Sequence, residues 1–141
     1  MKKIIPLIFA FPLFLCASPS VVTDQIHIDQ FGYRPADRKI AVISDPQTGY
    51  NSAVTFVPGS SYEVRDWNTN AVVYTGSTIA WNGGATQAQS GDKVWWFDFT
   101  ACTTPGEYYI FDPSNNVGTG KFLIDNCVYQ EVLKQSIRML Y

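Results

Sequence analysis

The side chains of this chain of 141 residues that most readily do acid–base, nucleophilic or metal chemistry are its carboxylates, its histidine and its cysteines. Twelve Asp and Glu residues are present. A general acid–base pair needs two carboxyl groups held within reach of one substrate, and here they are scattered along the chain. His27 is the single histidine; it reads as a strand residue near the surface, so no triad and no His-based metal site are read from it. No glycine-rich phosphate loop occurs. Of the three cysteines, Cys16 falls in a leader segment, leaving Cys102 and Cys127. Four tryptophans supply the remaining recognition chemistry, and two of them, Trp95 and Trp96, are adjacent.

The elements that must position these side chains are strands. Residues 1–20 read as a signal peptide: Met1-Lys2-Lys3 is a positive start, Ile4 to Leu15 an apolar run, and Cys16-Ala17-Ser18-Pro19-Ser20 a small-residue cleavage region. The apolar run is too short to span a bilayer, which takes about 20 residues. Leu15 stands before Cys16 where a lipid-attachment site wants a small residue, which argues against a lipoprotein anchor. Export to the cell exterior or periplasm is therefore expected, with no membrane association after cleavage. Without Lys2 and Lys3 the chain carries 8 basic and 12 acidic residues, a net charge of −4. No Lys/Arg cluster is present, so nucleic acid is not an expected partner.

Period-two patterning dominates the rest. Strands are expected at 25–30, 39–44, 53–57, 61–66, 71–74, 94–99, 106–112 and 120–124, rich in β-branched and aromatic residues and separated by Gly, Pro and Asn turns. Short strands at this spacing predict an all-β sandwich over 21–125. The tract 45–52 reads as a loop. The tract 81–92 reads as a long exposed loop joining strands at opposite edges. Strand alternation places Trp95, Phe97 and Phe99 on one face, the core, and Val94, Trp96 and Asp98 on the other. Cys102 precedes the 106–112 strand and Cys127 follows its antiparallel return, so both sit at one end of a hairpin. A disulfide there would close a loop of about 25 residues and contribute roughly 3 kcal/mol; two unpaired, partly buried thiols are the alternative. From Asn126 the period changes to that of a helix, with Tyr129, Val132, Leu133, Ile137 and Leu140 on one face and no stop signal before Tyr141.

The run Ile28-Asp29-Gln30-Phe31-Gly32-Tyr33-Arg34-Pro35 resembles the opening strand and turn of the immunoglobulin-like module that precedes the catalytic domain in many family-nine glycoside hydrolases, the bacterial endoglucanases. Further pieces resemble that module in the same order: Arg38-Lys39-Ile40-Ala41-Val42, Ser90-Gly91-Asp92, Asp98-Phe99-Thr100, Pro105-Gly106-Glu107-Tyr108 and Phe122-Leu123-Ile124. Thr100 stands where the family usually has Ser, and Gly120-Lys121 where it often has a small residue and Pro. The resemblance implies an immunoglobulin-like β-sandwich, with residues 126–141 as the first helix of a missing all-α, (α/α)6-barrel catalytic domain. On this reading the chain is a fragment of a cellulase, its partner is its own catalytic domain, and β-glucan is met only through the parent enzyme. The family's Asp-Ala-Gly-Asp motif is absent, so no catalytic residue is expected here. No cofactor is expected in this chain either; calcium would belong to the catalytic domain.

Local chemistry accompanies the resemblance. Gly32 supplies a backbone conformation closed to other residues, Pro35 fixes the turn, and Gln30 is placed to bond turn amides. Tyr108, two residues after Gly106, is placed like a tyrosine corner. Trp96, Asp98, Tyr129, Leu133 and Tyr141 are the candidates for interdomain contact. Two alternatives remain open. The helix is a natural terminal helix lying on the sandwich, or the chain is a free-standing polysaccharide-binding or cell-surface module. A parent with another substrate is equally compatible, because specificity lies in the other domain.

Overall fold

Burial alternates along the 40–46 and 61–66 strands as hydrophobicity does in the sequence. The computed structural model describes residues 21–140; the leader and Tyr141 lie outside them. The strands are β1 (Ile26–His27), β2 (Ile40–Pro46), β3 (Ser61–Asp66), β4 (Val72–Ala80), β5 (Asp92–Asp98), β6 (Gly106–Asp112), β7 (Val117–Gly118) and β8 (Phe122–Ile124). A 3-10 turn spans Trp81–Gly84, and α1 spans Gln130–Arg138.

The strands form one curled antiparallel sheet in the order β1-β2-β5-β4-β3-β6-β7, with β8 also on β6. β4 makes a sandwich of it. Its residues from Val72 to Ser77 pair with β3, and those from Thr78 to Ala80 pair with β5, so one long strand serves both layers. Gly76 lies at the changeover, where a Cβ would stand 3.1–3.2 Å from the rings of Tyr74 and Phe97. The two ends of the curl are stitched by parallel bridges, Val22 to Gly118 and Tyr33 to Ile124. Between the layers lies a core that includes Ile43, Tyr62, Val64, Phe97, Phe99, Ile110 and Ile124, with Trp95 packed against its margin. This is the immunoglobulin-like β-sandwich expected from the sequence.

Several details differ from expectation. The 53–57 segment is not a strand: Val54 and Val57 are exposed, and only Phe56 turns inward, its N–H held by Asp45 Oδ1 at 3.0 Å. The first strand is shorter than expected because Asp29 ends it, accepting from the Phe31 N–H on its carboxylate and from the Gly32 N–H on its carbonyl. The 81–92 tract joins neighbours, not opposite edges, since β4 and β5 pair directly. The Asn82 and Gly83 turn and the Thr86–Lys93 bridge shape it as an irregular hairpin.

Candidate functional site

Register across the β1-β2-β5-β4 layer gathers the outward side chains into rows. His27 faces Val42, Val42 faces Trp96, and Trp96 faces Ile79. These four residues cross the whole layer on the side opposite Phe97 and Ala41. Trp96 is 41% exposed and Ile79 63%, so the row is an apolar stripe open to solvent. Asp98 stands two residues along β5 from Trp96 and is exposed. The Thr100 hydroxyl and N–H hold its carboxyl below the usual carboxylate range, so the stripe is bordered by a fixed negative charge. His27 Nε2 lies 2.9 Å from Ser44 Oγ at the other border.

The 28–35 motif is a knot at the edge of this layer. Gly32 has φ +96°, and a Cβ there would meet Leu123 O at 2.2 Å, so only glycine fits. The Tyr33 N–H donates to Leu123 O at 2.9 Å, and the Asp125 N–H donates to Tyr33 O at 3.0 Å. The buried Tyr33 ring meets Phe99 and Phe122 edge-on, and its hydroxyl accepts from the Asp29 N–H at 2.9 Å. Burial pushes that phenol up. Pro35 begins the short turn that Lys39 then ties down. The Lys39 ammonium donates to Pro35 O and Asp37 O, both at 2.8 Å, and to Arg34 O at 3.4 Å. Sequence reasoning placed Lys39 in a strand and missed this role. A fully buried lysine filling a cage of carbonyls has no periodic signature. Gln30 is exposed, and the hydrogen bonds of this turn run through Asp29 and Tyr33 instead.

Tyr129 links the knot to the helix. Its hydroxyl donates to Gly32 O at 3.1 Å and approaches Asp29 Oδ2 at 3.4 Å. Beyond it, Leu133 is 61% exposed and Ile137 47%, and Arg34, Tyr129 and Leu133 line a shallow groove that continues along α1 past Ile137 to Arg138. The helix therefore offers an apolar face that the sandwich leaves uncovered. Tyr141, the last candidate, lies outside the described residues.

Beside the knot, Gly106 opens β6 opposite Ile124 and Tyr108 donates its hydroxyl to Thr104 O at 3.1 Å, the tie of a tyrosine corner. The Cys102–Cys127 bridge is not formed: both thiols are free. Cys102 turns toward the core beside Tyr74 and Tyr108, where burial pushes its pKa up to about 11. Cys127 is exposed beside Arg34 and Tyr129, so hairpin topology brought the backbones to one end without aiming the side chains at each other. Among the described residues, no three His, Cys, Asp or Glu side chains gather to hold a metal. The buried Asp112 is engaged as a loop anchor, accepting from the N–H groups of Gly59, Ser114 and Asn115 and from Asn115 Nδ2.

Comparison with known proteins agrees with this geometry. The family model for the cellulase N-terminal Ig-like domain matches residues 22–116. A solved metagenome-derived glycoside hydrolase family 9 endoglucanase is similar at 30% identity with TM-score 0.61, over 77% of this chain and 19% of that one. A family 9 glycoside hydrolase structure from Bacteroides ovatus is similar at 28% identity with TM-score 0.57, over 77% of this chain and 17% of that one. A thermostable endoglucanase from Alicyclobacillus acidocaldarius, 20% identical with TM-score 0.59 over 83% of this chain and 18% of that one, shares the fold. No curated protein matches the chain significantly. The chain spans less than a fifth of these solved structures. By the match over its sandwich, the chain belongs to the cellulase N-terminal Ig-like domain family.

Proposed function

We propose that this chain is the non-catalytic immunoglobulin-like module of an exported β-1,4-glucan hydrolase, and that it packs against and steadies a helical catalytic domain. The observation that carries the reading is the open apolar stripe of Val42, Trp96 and Ile79 on a family-assigned sandwich. Large exposed apolar surface in a soluble domain marks a place where another surface sits. The uncovered face of α1, with Leu133 and Ile137, is its counterpart at the module's end. The division at residue 125, with the helix belonging to the second domain, follows from the same reading. The leader composition of residues 1–20 supports export. Any metal requirement would belong to the catalytic domain, as would the cleavage of β-glucan.

Two measurements test this. The chain alone, given carboxymethyl cellulose, is expected to release no reducing sugar. In the full enzyme, Trp96→Ala and Leu133→Asp are expected to lower the melting temperature of the catalytic domain by several degrees. Reducing-sugar release by the pure chain, or full-enzyme melting indifferent to both substitutions, would sink the proposal.

A further inference from the structure

The opposite layer carries a second aromatic cluster that the core does not absorb. On β6, Tyr108 and Ile110 belong to the core, so Tyr109 and Phe111, which alternate with them, face outward. They are nonetheless 1% and 8% exposed. On β3 the outward positions are Glu63 and Arg65. Trp67 prolongs that side of the strand, its N–H donating to Glu107 O at 2.9 Å. The Arg65 guanidinium lies 4.1 Å over the Phe111 ring, and Trp67 meets Tyr109 edge-on with centroids 5.8 Å apart.

These groups are held in place before any ligand arrives. Arg65 Nε and Nη2 both donate to Glu63 Oε2, at 2.7 and 2.6 Å. The two side chains are only 19% and 18% exposed, whereas unconstrained charged side chains extend into water. Asn70 has φ +61°. Its Oδ1 accepts from the Tyr109 hydroxyl and from Arg65 Nη1 at 3.3 Å. That fixes the amide and leaves Nδ2 as a donor, while Glu63 keeps Oε1 as a second acceptor and the indole keeps its Nε1–H. From Glu63 to Trp67 the strand runs roughly 13 Å. An ordered surface of this length combines a partly open indole with a guanidinium, a carboxylate and an amide.

We propose that this face, Glu63, Arg65, Trp67 and Asn70 over Tyr109 and Phe111, is a binding site for a neutral pyranose chain. Sugar rings present apolar C–H faces that pack on an indole and hydroxyls that each donate and accept. Planar side chains with donor and acceptor side by side match vicinal hydroxyls, and fixing them beforehand lowers the ordering cost of binding. The site lies on the layer opposite Trp96, so a module docked through the Trp96 stripe leaves it open. It stands whether or not the docking proposal does.

The test is a titration of the chain with cellohexaose, mannohexaose and xylohexaose, followed by tryptophan emission and by calorimetry. Saturable binding of at least one hexasaccharide is expected. Asn70→Gly, which keeps the left-handed backbone but removes the amide, and Glu63→Gln are each expected to weaken it tenfold or more, with melting temperatures within a few degrees of the parent. Tyr50→Ala, a fully exposed aromatic elsewhere, is expected to leave it unchanged. Absence of saturable binding to all three sugars overturns the proposal. So does binding that is indifferent to both site substitutions, or that depends on Tyr50.

Discussion

Single residues decide whether the 28–39 knot closes. Gly32→Ala would combine a φ of +96° with a methyl group 2.2 Å from Leu123 O, and is expected to cost about 2–4 kcal/mol in urea unfolding. Lys39→Met keeps the volume but strips three carbonyls of their donor. The desolvation cost of the ammonium is recovered, yet the unpaired carbonyls outweigh it, and a loss of about 2 kcal/mol is expected. The thiols separate by environment. Cys102, pushed up to about 11 by burial, holds almost no thiolate at pH 8. Ellman's reagent is therefore expected to label Cys127 rapidly and Cys102 only on unfolding. Reductant is expected to leave the melting temperature unchanged, and a drop on reduction would restore the disulfide.

At the scale of elements, the β3–β4 hairpin is an acid-sensitive point. Asp66 accepts from the Thr69 N–H and hydroxyl and from the Asn68 N–H, and its carboxyl is lowered by those bonds. A carboxyl lowered on folding stabilises above its unfolded value and loses that contribution as pH falls through the folded one. The urea midpoint is thus expected to decline from about pH 4 downward, with a shallower decline in Asp66→Asn. The stripe should behave differently: Trp96→Ala in the isolated module is expected to change stability by less than about 1 kcal/mol, because the ring is open to water. The loss appears only when a partner covers it. Tyr129→Phe removes the bond to Gly32 O and is expected to speed amide exchange through α1 while the sheet stays protected.

For the molecule as a whole, what was readable depended on whether the information was local. β3 was legible to the residue because it is an alternating run ended by a turn signal, and β6 because a run of strand-forming residues lies between the Pro105-Gly106 and Pro113 turns. Trp96 pointing outward followed from the same alternation. The stripe it joins was not legible, because His27, Val42 and Ile79 become its neighbours only through register between strands far apart in the chain. The doubled use of β4 was hidden for the same reason. The run Tyr108-Tyr109-Ile110-Phe111 is aromatic or apolar at every position, so alternation cannot sort its two faces, and the outer aromatic layer was concealed. Lys39 was concealed by its type, since a lone lysine in a strand reads as solvent-facing until its carbonyl cage is seen.

The parallel stitches bear on how the domain assembles. Val22 and Tyr33 find their partners, Gly118 and Ile124, more than ninety residues later in the chain. Closing such distant contacts is entropically slow. A chain emerging from its N-terminus therefore holds its first segment unsatisfied until nearly the last strand is out. The opening motif is made early and is among the last parts to lock, so a lesion at Gly32 or Tyr33 should mainly accelerate unfolding and leave the folding rate almost untouched.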